Sequence, residues 1–119
     1  MATAKEFVDR INQIDGVADC LLIKDDGVLL GQTLDDSEVY STLLQISAGL
    51  SADIMDKIGF SYCRYLSFNR ANNQNFYIFP IENYLLGIVQ QADCSVDVML
   101  EIVYQLIGRV SVGGAKINS

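Results

Sequence analysis

The sequence predicts an α+β fold: a five-stranded, mostly antiparallel sheet in the element order α-β-β-α-β-β-β-α, with two helices on one face and the long central helix on the other. Three observations lead there. Apolar residues recur at helical spacing in three segments. Five short runs between them are rich in Val, Ile, Leu, Tyr and Phe and are bounded by turn residues. At 119 residues, half of them apolar and one a proline, the chain can bury one continuous core but is too short for a two-domain enzyme. The expected organisation is a single domain over 1–119, with its core in 4–110 and a frayed tail at 111–119.

The first helix spans Thr3 to Ile14. Ala4, Phe7, Val8, Ile11 and Ile14 form its apolar face, and Lys5, Glu6, Asp9, Arg10, Asn12 and Gln13 fill the opposite arc. Asp15-Gly16 stops it. Val17–Lys24 and Val28–Gly31 read as strands joined by Asp25-Asp26-Gly27, whose Asp-Gly pair favours a tight hairpin. Asp36 or Ser37 caps the long helix, which runs to about Ile58 and ends at Gly59. Tyr62–Phe68, Phe76–Phe79 and Tyr84–Gln90 read as three further strands. They are connected by the polar run 69–75 and by the corner Pro80-Ile81-Glu82-Asn83. Ser95 caps the last helix, to about Val110, in which Asp97, Glu101, Gln105 and Gly108 mark the solvent stripe.

Composition removes several function classes. Eight Lys and Arg against fifteen Asp and Glu give a net charge of −7, which disfavours nucleic acid and anionic membrane surfaces. Without histidine there is no Ser-His-Asp or Cys-His couple and no His-based zinc site. Cys20, Cys63 and Cys94 lie far apart with no C-x-x-C pair, the pattern of reduced thiols in a cytoplasmic protein. The N-terminus lacks the apolar run of a signal peptide, and no segment is apolar for long enough to insert in a membrane. Asp25-Asp26 and Asp35-Asp36 sit where turns and caps call for Asp. Ser111–Lys116 lacks the spacing of a P-loop. The expectation is a non-enzyme that needs no cofactor and no metal.

Dimensions point to self-association. Five strands make a sheet about 24 Å wide, whereas a helix covers about 10 to 12 Å, so a lone central helix leaves half of its face open. That helix carries two adjacent apolar stripes. Val39, Leu43, Ile46, Leu50 and Ile54 are expected to rest on the sheet. Tyr40, Leu44, Ser47, Ala48, Ser51 and Met55 are expected to meet an identical helix about a two-fold axis. The strand 62–68, if it forms a sheet edge, is long, aromatic and charged only at Arg64, so Tyr62, Arg64 and Leu66 join the expected homodimer interface. Glu38, Ser41, Gln45, Ala52, Asp53 and Asp56 form the outward face of the helix, a candidate partner-binding surface whose acidic residues would speed encounter with a basic partner.

Several segments resemble the roadblock / dynein light chain domain family. They are Ile14-Asp15-Gly16-Val17 leading into Cys20-Leu21-Leu22-Ile23, the hairpin Asp26-Gly27, the long helix with Ala48-Gly49, and Phe79-Pro80-Ile81 before Leu85-Leu86-Gly87-Ile88-Val89. The resemblance covers about residues 4 to 110. It implies a homodimer or heterodimer built through the long helix and the third strand. It also implies a platform that binds and regulates a small Ras-like GTPase, as a bacterial gliding-motility member of the family does by stimulating GTP hydrolysis. Such a protein either supplies an arginine, for which Arg64 and Arg70 are the candidates near the sheet edge, or orders groups the GTPase already owns. The dimer platform favours the second. Competing readings are a dimeric scaffold or adaptor without effect on GTP hydrolysis, and a sensor domain holding a small ligand.

Overall fold

A computed structural model describes residues 3–35, 37–59, 65–69, 71, 74–92 and 94–112. Its first helix, α1 (Ala4–Asn12), starts where Thr3 Oγ1 accepts the Glu6 N–H at 3.1 Å, satisfying a donor that the first helical turn leaves unpaired. Strands β1 (Val17–Lys24) and β2 (Leu29–Gln32) follow. In the turn between them Gly27 takes φ +98° and Asp26 Oδ1 accepts the Val28 N–H at 3.1 Å. The long helix α2 (Ser37–Ile58) ends at Gly59, φ +81°. Strands β3 (Leu66–Phe68), β4 (Phe76–Ile81) and β5 (Tyr84–Gln90) lead to α3 (Val96–Val112). The element order is the expected one.

The sheet order is β2-β1-β5-β4-β3, and every pairing is antiparallel. Boundaries differ from expectation in two informative places. Strand β2 lies one residue later, because a bulge beside Leu22/Ile23 takes up an extra residue before Lys24 donates its N–H to Val28 O at 2.9 Å. Pro80 and Ile81 belong to β4 rather than to the corner. Ile81 pairs with Tyr84 across the two-residue turn, so the backbone groups of Pro80, opposite Leu85, face away from β5 and the missing N–H costs no bond to that strand.

Strand alternation splits the interior into two cores. On one face Leu22, Tyr77, Phe79, Leu86 and Ile88 meet Phe7, Val8 and Ile11 of α1 and Met99 and Val103 of α3. On the other, Leu21, Ile23, Phe76, Ile78, Leu85 and Val89 form a core to which α2 contributes Leu44, with Tyr40 and Ala48 at its margin. Two buried side-chain hydrogen bonds lie on the first face among the described residues: Tyr77 donates its hydroxyl to Gln90 Oε1 at 2.9 Å, and the Cys20 thiol donates to Val8 O at 3.4 Å. Two helices thus close the first face. The second carries one.

Candidate protein interaction surface

The way α2 sits on the sheet determines what it offers to partners. Gly87, on β5 between Leu21 and Ile78, opens a gap in the surface beneath it. A Cβ there would stand 2.7 Å from Leu21 Cδ2, 2.9 Å from Phe76 Cζ and 3.1 Å from Leu44 Cδ1. Leu44 fills that gap and is wholly buried. The small residues Ser47, Ala48 and Ser51 are half-buried, as are Tyr40 and Met55, and Tyr40 stacks on Phe76 with ring centroids 5.1 Å apart.

This reverses the expected assignment of the two stripes. Tyr40, Leu44, Ser47, Ala48, Ser51 and Met55 turn toward their own sheet, and small side chains there let the helix approach it closely rather than admit a second helix. Val39, Leu43, Ile46, Leu50 and Ile54, expected on the sheet, are 46–60% exposed, and Ile58 continues the stripe. Leu66 packs on the core beneath α2. Tyr62, Arg64 and Arg70 lie outside the described residues, as do Cys63 and the tail 113–119.

At 100° per residue the open apolar stripe is centred about 120° from the buried one, so α2 has two distinct flanks. Toward β3 and β4, Tyr40, Leu43 and Ser47 line a groove of about 240 Å³ with Phe68, Phe76 and Ile78. Phe68 is 48% exposed there. Toward the β1–β2 hairpin, Glu38, Ser41, Thr42 and Gln45 line a second groove, of about 340 Å³, with Gly27 and Leu29. Gln45 Nε2 ties this flank to the hairpin by donating to Asp25 O at 3.5 Å. The structure therefore brings Glu38, Ser41 and Gln45 together. Ala52, Asp53 and Asp56, also exposed, stand two or more turns further along.

Solved structures share this fold. The chain matches Myxococcus xanthus MglB with a TM-score of 0.81 at 11% identity, over 93% of this chain and 94% of that one. It matches a roadblock/LC7 domain from Streptomyces avermitilis with a TM-score of 0.74 at 15% identity, over 92% and 95%. An MglB solved in a tetrameric arrangement matches with a TM-score of 0.75 at 15% identity, over 92% and 88%. The chain has the roadblock/LC7 fold. No protein-family sequence profile and no curated protein sequence matches it, so the likeness rests on architecture. Within the roadblock/LC7 fold, the feature that sequence reasoning misplaced is the open stripe from Val39 to Ile58. Gly87 opposite the small residues of α2 was the available signal, since a glycine in a central strand marks close approach by a neighbour.

Proposed function

We propose that the chain is a homodimeric interaction platform that binds and regulates a small Ras-like GTPase, acting through surfaces rather than as an enzyme in its own right. The observation that carries the dimer is the continuous apolar surface made by Val39, Leu43, Ile46, Leu50, Ile54 and Ile58 with Phe68. It overlooks the half of the sheet face that α2 leaves open. A second α2, related by a two-fold axis, fills that space and has its own stripe covered in return. The interface residues are therefore those of the open stripe, in place of Leu44 and its neighbours.

The GTPase reading draws on the roadblock resemblance and on the fold shared with the MglB structures. Pairing the α2 helices leaves one copy of Glu38, Gln45, Ala52, Asp53 and Asp56 on the outer flank of each helix, clear of the seam. A GTPase resting there would have its switch regions ordered by the platform. The test has two stages. Light scattering at micromolar concentration reads the mass of the wild-type chain, and a monomer sinks the dimer. GTP hydrolysis by a Ras-like GTPase from the same genome, with and without the chain, then separates a regulator from a scaffold: binding with an unchanged hydrolysis rate overturns regulation and leaves the adaptor.

A further inference from the structure

On the sheet face that carries α3, a groove of about 470 Å³ is lined by Tyr65, just before β3, and by Asp97, Leu100, Glu101, Tyr104 and Gln105 of α3. Aromatic rings build one part of it. Tyr65 packs on Tyr77, Phe79 and Tyr104 with ring centroids 6.0, 5.7 and 6.3 Å apart, and Phe79 meets Tyr104 edge-on at 5.5 Å. Tyr77 and Phe79 are buried, so they hold the two outer rings from behind. Tyr65 remains 36% exposed and Tyr104 half-buried.

Carboxylates build another part. Asp97 and Glu101 stand one helical turn apart, both exposed, and neither forms an ion pair among the described residues. Asp97 is favoured there by the positive end of the helix dipole. Glu101 lies beyond the first turn and meets a like charge four residues back, a spacing that weakens a helix. Solvated surfaces intersperse both signs, whereas here two negative charges border exposed tyrosine. Half-buried Leu100 adds an apolar patch.

This combination selects among ligands. Ring faces attract cations, carboxylates pair with them, and an apolar patch suits an alkyl stem. A guanidinium meets all three demands, because its plane stacks on rings while its paired donors match carboxylates; an ammonium is a point charge that does neither as well. The exposed rim of Asp97, Glu101 and Gln105 leaves the groove open. That suits a side chain projecting from another protein better than a free small molecule, which its site would bury on most sides.

We propose that this groove receives an arginine side chain of a partner protein, with the guanidinium against the rings of Tyr65 and Tyr104 and its N–H groups donating to Asp97 and Glu101. The site lies across the sheet from α2 and needs neither a dimer nor a GTPase, so it stands or falls separately from the reading above.

The probe is an end-capped peptide with one arginine between alanines, titrated into the full chain and followed by NMR. Binding should saturate in the millimolar range, shift the ring resonances of Tyr65 and Tyr104, and move the arginine δ protons upfield, the ring-current signature of stacking. The same peptide with citrulline, which keeps the shape and loses the charge, should bind about tenfold more weakly, and its lysine counterpart should also bind more weakly. Glu101→Gln and Tyr65→Leu should each weaken the arginine peptide about threefold. Glu101→Gln should do so without lowering the melting temperature. The proposal is overturned by absence of saturation at tens of millimolar peptide, by equal affinity for the arginine peptide and either counterpart, by saturation that leaves Tyr65 and Tyr104 unshifted, or by a Glu101→Gln chain that binds as the parent does. The citrulline comparison on the unaltered chain decides the matter even where Tyr65→Leu fails to fold.

Discussion

Replacing both Ile46 and Leu50 by Asp isolates the open stripe from everything else α2 does. Full burial of a Val, Leu or Ile side chain is worth about 1.5–3 kcal/mol. The six side chains from Val39 to Ile58 are 46–60% exposed, so covering what remains gives about 1 kcal/mol each, or about 12 kcal/mol across a symmetric interface. Loss of translational and rotational freedom offsets about 4 kcal/mol or more of this, which leaves association in the micromolar range. Removing two of the six side chains from each subunit forfeits about 4 kcal/mol, a factor of about 10³, before the cost of burying carboxylates. The double variant should therefore be monomeric at every practical concentration. Its melting point should fall only by what dimer dissociation removes, because surface replacements change monomer stability by about 0.5 kcal/mol or less. Leu44→Asp forms the contrast: it sets a carboxylate against Leu21, Phe76 and Gly87 and should unfold the chain. Light scattering and thermal melts on both variants read the two outcomes. A double variant that remains dimeric, or a folded Leu44→Asp that turns monomeric, would refute the placement of the stripes.

Gly87→Ala should destabilise by about 1–3 kcal/mol and lower the melting temperature by several degrees, since its Cβ meets Leu21, Phe76 and Leu44 at 2.7–3.1 Å. Thr33→Val should cost about 1–2 kcal/mol in urea denaturation, because the Cys20 N–H and the Asp19 carboxylate lose the hydroxyl that joins them. The Cys20 thiol, pushed from 9.0 up to about 12 chiefly by burial and then by Asp19 and Asp9, stays protonated in the folded chain while an unfolded chain ionises it above about pH 9. Its contribution to stability is complete below that pH and is lost as pH rises from about 9 toward 12, so denaturation midpoints should fall over that window, and less so in Cys20→Ala. Raising salt should tighten the dimer and loosen a basic partner, because it screens like charges in the first case and unlike charges in the second. Salt dependences of the same sign would break that distinction.

The order of elements was readable because each is marked by local chemistry: the apolar face from Ala4 to Ile14 with its stop at Asp15-Gly16, the Asp26-Gly27 hairpin, Gly59 after α2, and short runs rich in Val, Ile, Leu, Tyr and Phe. The incomplete cover of one sheet face was readable from widths alone. What could not be read from α2 was which of two apolar stripes faces inward. Both satisfy the helical period, and the choice is made by Gly87 on a strand more than forty residues away from Leu44 in sequence. Hydrophobicity even pointed the wrong way. The more apolar stripe stays open, while the one diluted by Ser47, Ala48 and Ser51 packs closely on the sheet. Likewise Gln45, read as a partner-facing side chain, tethers α2 to the carbonyl of Asp25. A long-range hydrogen bond of that kind leaves no trace in local pattern.

The orientation of α2 also explains why an acidic chain can be a self-associating one. Had the stripe containing Leu44 faced outward, as its sequence period allowed, the rotation of about 120° would have carried Glu38, Gln45, Ala52 and Asp56 away from the hairpin and toward the open half of the sheet. The three carboxylates of the helix, Glu38, Asp53 and Asp56, would then have been brought toward the two-fold axis of a dimer, where like charges from the two subunits repel. Seating Leu44 in the gap over Gly87 instead turns the apolar flank toward β3 and β4 and leaves Glu38 and Gln45 beside β2. One rotation of one helix thus separates the surface suited to a second copy from the surface suited to a basic partner. Gly87 is the residue that holds that rotation in place.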